Sequence, residues 1–209
     1  MNGAISIRTE QFRFNKIHFF ILIAIALSIF IVTNYLTVKQ VVEKTNDLSY
    51  EDIESIAEEI YGAGEIADAL ENLPLDAALI KKMSEEIERI LAKTTDYPGC
   101  EVYYLRANQN NNYPILGYGD ALLGYEYLRY QEVWKVGITC NGQHGRYPTD
   151  IYYKSKNGSI FLSNKQLRYE PIHFGTYKQV LILEKILIYT YPFWSGHDLV
   201  KPPGCKIFR

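Results

Sequence analysis

One carboxylate in this chain sits where carboxylates are rarely found. Glu184 lies inside the run "TYKQVLILEKILIYTYP" (Thr176–Pro192), beside Ile182 and Leu183. The run has the length and apolar stripe of a buried helix, with Val180, Leu181, Leu183, Leu187 and Ile188 turned to the core. A carboxylate there is costly to desolvate unless it is paired or holds a metal. Two readings stay open: a metal ligand, or an outer-face residue beside Lys185, Lys178 or Lys201. A second stretch, "EVWKVGIT" (Glu132–Thr139), reads as a buried strand broken by Gly137. Glycine in a strand marks a bulge or a close approach of backbone or ligand, and Trp134 and Lys135 stand just before it. His144 lies in the polar loop "NGQHGRYP" (Asn141–Pro148), which reads as surface. The many tyrosines could stack bases, although packing a sheet explains most of them. Cys100, Cys140 and Cys205 form no C-x-x-C pair and no zinc pattern, so buried thiols are expected, with one disulfide open to an exported domain.

The elements that must position these residues fall into segments of different character. Ile17 to Leu36 contains no Asp, Glu, Lys or Arg. Twenty residues at a rise of ~1.5 Å span ~30 Å, the thickness of a hydrocarbon core. Arg8, Arg13 and Lys16 precede it, which places residues 1–16 in the cytoplasm and the rest outside. No A-x-A-like cleavage site follows, so the segment reads as an uncleaved single-pass anchor in a lipid bilayer.

Residues 37–96 carry six basic and fifteen acidic side chains, net −9, whereas 97–209 carry thirteen basic and eight acidic, net +5. The split suits a polyanion partner for the basic part or, more simply, two solvated surfaces. Ser49 with Asp52 resembles a capping box, followed by Ile53, Ile56, Ala57 and Ile60 at helical spacing. "YGAGE" (Tyr61–Glu65) interrupts, Pro74 suits the first turn of another helix, and Ile80, Met83, Ile87 and Ile90 form its stripe. The expectation is an acidic helical stalk over 37–96, with "TTDYPG" (Thr94–Gly99) as linker. Beyond it, "EVYYLRA" (Glu101–Ala107) and "LRYEPIHFG" (Leu167–Gly175) read as strands, and "ILGYG" with "GYEYLRY" as a hairpin after the polar turn "NQNNNYP".

The order "VYYL" (102–105), "WKVGIT" (134–139), "GRY" (145–147), a strand, and a helix with "LEKILI" (183–188) resembles the GIY-YIG nuclease superfamily of repair and homing endonucleases. It is most similar to the toxin-like branch of this URI fold, whose members end in a PPGNKI-like tail; this chain ends "KPPGCKIFR". The likeness covers about residues 100–209.

The resemblance implies an α+β fold: a small mixed β-sheet flanked by helices, with an inserted hairpin, over 97–209. It implies cleavage of DNA or RNA with one Mg²⁺ or Mn²⁺ held by Glu184. Tyr103 would position or deprotonate the attacking water, Arg146 would contact the phosphate, and Lys135 and Tyr147 would lie beside them. "WKVGIT" would be the floor of the site, with Gly137 admitting substrate or metal waters. The departures are Glu101 in place of a glycine, Lys135 in place of the second-motif tyrosine, and Cys205 in place of the tail asparagine. They leave Tyr103, Tyr104, Tyr147 and His144 as candidate bases. The partners implied are nucleic acid and a lipid bilayer; the sequence names no immunity or other protein partner. Against the nuclease stands a catalytically inactive, membrane-anchored module that binds nucleic acid or protein through the same fold.

Overall fold

The computed structural model describes residues 48–147, 153–154, 161–162 and 165–206. The chain divides into two units, Met1–Lys44 and Thr45–Arg209, and all described residues lie in the second. The expected cytoplasmic tail (1–16), anchor (17–36) and first part of the stalk (37–47) lie outside the described residues. Among those described, no helix is long and apolar enough to cross a membrane.

Three helices come first: α1 (Tyr50–Ala63), α2 (Ile66–Glu71) and α3 (Ala77–Lys93). Ser49 and Asp52 close the expected capping box on α1, and Gly64 ends that helix in a left-handed conformation (φ 74°). Asp76, not Pro74, opens α3: its side chain accepts from the Leu79 amide. The sheet follows, with β1 (Cys100–Ala107) at its centre, β4 (Val133–Thr139) on one side and β7 (Leu167–Gly175) on the other. Between β1 and β4 a separate hairpin is inserted, β2 (Asn111–Leu116) with β3 (Leu122–Leu128). The helical turn α4 (Gly142–Arg146), a two-residue pair β5 (Tyr153–Lys154) and β6 (Phe161–Leu162), α5 (Tyr177–Tyr189) and α6 (Tyr191–Ser195) complete the order.

The architecture is α+β. Every described strand pairing is antiparallel, where the sequence reading expected a mixed sheet. β4 and β7 both run against β1, so the three-stranded sheet has no parallel neighbours.

The acidic segment is no stalk over its described part. Ile53, Ile60, Met83 and Ile87 are buried in the same core as Val102, Val136, Val180 and Leu187. α5 lies between the sheet and the helices α1 and α3, which explains why it is buried around almost its whole circumference. Polar contacts fix the same packing. Lys185 reaches Glu86 on α3 at 2.5 Å, and the Tyr189 hydroxyl donates to the same carboxylate at 3.1 Å. His173 of β7 meets Glu54 of α1 at 2.7 Å. Asp96 accepts from the Tyr61 hydroxyl (2.8 Å) and the Lys178 amide (2.9 Å), so "TTDYPG" is tied down at its middle. The helical period of the segment is visible in sequence; that its stripe meets α5 is a tertiary fact. A burial-starved stripe of Ile and Met cannot stay solvated when a second apolar helix is within reach.

Candidate functional site

The two faces of β1 do different work. Val102 and Tyr104 turn toward α5, whereas Tyr103, Leu105 and Ala107 enter a second apolar cluster with Tyr113, Leu128, Trp134 and Leu167. This alternation is the two-residue period of a strand buried on both faces. It separates Tyr103 from Tyr104: the latter stacks on Trp194 (ring centroids 5.8 Å) under α5 and takes no part in the Tyr103 cluster.

β4 departs from regular pairing. Leu105 faces Lys135 and Arg106 faces Val133, so Trp134 is the extra residue of a β-bulge. The bulge re-aims the "WK" pair. Trp134 buries in the second cluster and donates from Nε1 to the Pro114 carbonyl at 2.9 Å. The tail then locks onto it: the Gly204 amide donates to the Trp134 carbonyl (2.7 Å), and a Cβ on Gly204 would meet the indole at 2.7 Å. Only glycine allows "PPGC" to lie flat on that ring.

Around Tyr103 the expected residues gather. Its hydroxyl lies 3.2 Å from that of Tyr147, the residue that ends α4. The Arg146 guanidinium lies over the Tyr147 ring, 5.7 Å from its centroid, and Arg146 and the Lys135 ammonium both act on the Tyr103 hydroxyl. Burial raises the Tyr103 hydroxyl well above the ordinary tyrosine range; Lys135 and Arg146 pull against that shift. Tyr103 is therefore a protonated hydrogen-bonding group near neutral pH, suited to positioning and not to deprotonating.

Glu184 sits on α5, half-buried. It acts on the Cys205 thiol, as do Lys135 and Lys201. Lys135 is thus the residue common to the two groupings, Tyr103 with Tyr147 and Arg146 on one side, Glu184 with Cys205 on the other. The ammonium of Lys185 is buried against Glu86. His144 is exposed on α4.

Gly137 has a different use from the one expected. A Cβ there would meet Cζ and the hydroxyl of Tyr103 at 2.6 Å. The close approach over this part of "WKVGIT" is made by the Tyr103 ring, so the space expected for substrate or metal waters is taken by a side chain.

Two residues of the cluster were not singled out as site members by sequence. Glu101 is buried at 7% exposure, on the same strand face as Tyr103. The Tyr169 hydroxyl donates to Glu101, and the Tyr169 ring stacks on Tyr103 with centroids 4.6 Å apart. The signal was present: Glu101 is the position where a glycine was expected, and a carboxylate inside a Tyr- and Val-rich strand demands a partner. The partner, on β7, is distant in sequence.

The cysteines also differ from expectation. Cys100 and Cys140 are joined as a disulfide between β1 and the end of β4, and only Cys205 is a free, buried thiol. Glu101 faces Thr139, so the next positions outward are Cys100 and Cys140.

A cavity of about 460 Å³ lies elsewhere, bounded by Tyr50, Tyr104, Arg106, Leu187, Trp194 and His197; of the expected site residues only Tyr104, one of the candidate bases, lines it. Among the described residues no group of three or more His, Cys, Asp or Glu side chains could hold a metal ion. Comparison with known proteins finds no matching family model, no similar curated protein and no similar solved structure.

Proposed function

We propose that the chain is a membrane-anchored, metal-dependent endonuclease of the GIY-YIG type, a toxin-like effector that hydrolyses phosphodiester bonds of DNA or RNA. The observation that carries this reading is the meeting of Tyr147, Arg146 and Lys135 around the Tyr103 hydroxyl. An arginine and a lysine beside two hydroxyls form an anion-binding arrangement, and a guanidinium matches phosphate geometry. Tyr103 and Tyr147 would orient the attacking water. Burial keeps Tyr103 protonated, so its part is to hold that water by hydrogen bonds. Lys135 would balance charge between the phosphate and Glu184.

A divalent ion fits this donor set only in its simplest form. Glu184 is a half-buried carboxylate with no cluster of further acids among the described residues. Mg²⁺ or Mn²⁺ held by one carboxylate keeps most of its waters. When bound, such an ion would offset charge on the phosphate oxygens. The Cys100–Cys140 disulfide supports placing this unit outside the cytoplasm, since disulfides persist in oxidising compartments. The apolar segment 17–36 and the basic residues before it support the same topology.

A second reading has its own observation. Tyr103 is 1% exposed, and its ring fills the space over Gly137. A site sealed in this way suits a module that binds nucleic acid or protein without cutting.

The deciding experiment incubates the purified full chain with supercoiled plasmid and with single-stranded RNA, in Mg²⁺, Mn²⁺ or chelator. The nuclease reading expects metal-dependent cleavage. Glu184→Gln should lower it by orders of magnitude, because metal stabilisation of transition-state charge is worth several kcal/mol. Arg146→Ala should abolish cleavage with little change in metal affinity. Retention of nucleic acid without cleavage under every condition selects the second reading. Neither binding nor cleavage rejects both for nucleic acid.

A further inference from the structure

The inserted hairpin presents a surface that the Tyr103 cluster does not use. β2 and β3 form a two-stranded sheet, so the far edge of β3 has no strand beside it among the described residues. Leu123, Tyr125 and Tyr127 alternate along β3 and point outward, exposed at 66%, 55% and 55%. Tyr118, at the tip of the hairpin, is 83% exposed, and Tyr130 beyond its other end is 55% exposed. The chain is 22% charged overall, yet this stripe of β3 and the β2 residues paired with it, Asn112 and Pro114, include no charged side chain; the exposed Arg129 follows it. The one carboxylate within β3, Glu126, belongs to the opposite face, where it meets His197 at 3.2 Å.

An open strand edge with an apolar face is a template for another strand, and proteins that avoid such pairing place lysine, proline or an inward charge there. β3 contains neither lysine nor proline, and its one inward charge, Glu126, is engaged by His197. Arg129 is the one basic side chain between Tyr118 and Tyr130, fewer than the several phosphate contacts that hold a polyanion, which turns the reading from nucleic acid to protein. At about 200 Å² per tyrosine, the exposed fractions of the four tyrosines amount to roughly 500 Å² per copy. That is before Leu122, Leu123 and the backbone edge are counted. The total approaches the ~800 Å² per partner of a stable interface, and lies in the upper part of the ~300–600 Å² of the largest apolar patch usual on a monomer.

We propose that two copies of this chain pair through β3, antiparallel and centred on Tyr125. Tyr125 is the middle of Leu122–Leu128. Antiparallel pairing about it sets Leu123 of each copy opposite Tyr127 of the other, and Tyr125 opposite its own equivalent. All three share one face, so the pairing joins two apolar stripes without burying a charge. A two-fold contact of this kind is self-complementary, so one surface serves both copies. The two hairpins become a four-stranded sheet, and the paired backbone edges satisfy each other's amides and carbonyls.

The test measures the mass of the full chain in density-matched detergent micelles by sedimentation across a hundredfold range of concentration. The expected result is a species of twice the 24.2 kDa chain mass. The variant Leu123→Lys/Tyr125→Lys should raise the dissociation constant by about a hundredfold or more, by placing like charges face to face. The far-UV circular dichroism should stay at the parent's, because both residues are exposed in the single chain, and the melting temperature should match that of the parent diluted to its monomer. As a second variant, Tyr125→Cys should give a reducible, covalently linked dimer on oxidation in the absence of added cross-linker. A monomer at every concentration overturns the proposal. So does a dimer that survives the lysine variant, because the contact then lies elsewhere. Failure of Tyr125→Cys to cross-link overturns the register.

Discussion

The hydroxyl of Tyr103 lies 3.2 Å from the hydroxyl of Tyr147, and the ring of Tyr103 rests on the bare Cα of Gly137. Gly137 therefore holds the tyrosine in place. Gly137→Ala would bring its Cβ to 2.6 Å from the ring. The ring must move, at about 1–3 kcal/mol of stability, and the Tyr103–Tyr147 contact must break. Cleavage by Gly137→Ala should fall as far as by Tyr103→Phe, about a hundredfold if both tyrosines hold the water. Tyr147→Phe should lose activity with little loss of stability. Steady-state cleavage rates beside urea melts test this; an active Gly137→Ala protein would show that Tyr103 is only a packing residue.

Lys185 and Glu86 form a buried pair that joins α5 to α3. Removing one member leaves the other charge buried and unpaired, which costs about 3–5 kcal/mol. Glu86→Ala should destabilise the protein by that amount in chemical denaturation. The double variant Glu86→Leu/Lys185→Met should recover most of it, since a buried pair is often replaceable by apolar groups of similar volume. A chain beginning near Asp96 should not fold, because it uncovers the outer face of α5. A cooperative melt from that fragment would restore the stalk reading.

The Cys100–Cys140 bond closes a loop of sequence separation 40. Chain entropy alone assigns such a loop about 4 kcal/mol. Reduction, or Cys100→Ser/Cys140→Ser, should lower unfolding free energy by an amount of that order. Mass spectrometry of the unreduced protein should show Cys205 as the only alkylatable thiol after denaturation.

Burial pushes the Cys205 thiol up to about 11 from an ordinary 9.0. The folded state holds this proton more tightly than the unfolded state. Below pH 9 both forms are protonated and the group contributes no pH dependence. Between pH 9 and about 11 the unfolded thiol ionises first, so stability falls as pH rises, by up to about 3 kcal/mol. Cys205→Ala should remove this part of the alkaline slope, read from melting temperatures between pH 8 and 11. Alkylation of the native protein at pH 8 should be negligible, and fast labelling there would contradict the burial.

Local elements are legible in the amino-acid order wherever period and capping agree. Ser49 with Asp52, the Met83–Ile87–Ile90 stripe, "LRYEPIHFG" as β7 and the helix after Thr176 are all legible, because each is set by neighbours within a few residues. The amino-acid order also marked Glu184, Lys135, Arg146 and Tyr147 as residues with chemistry to explain. What tertiary structure decided are the pairings between distant segments. That Lys185 faces Glu86, that Tyr169 reaches Glu101, that Cys100 meets Cys140 and that the space over Gly137 belongs to Tyr103 each depend on contacts 34 to 99 residues apart. No local propensity encodes such contacts. They follow from how α5 is sandwiched between the sheet and two helices, a choice made by burying the largest apolar area available.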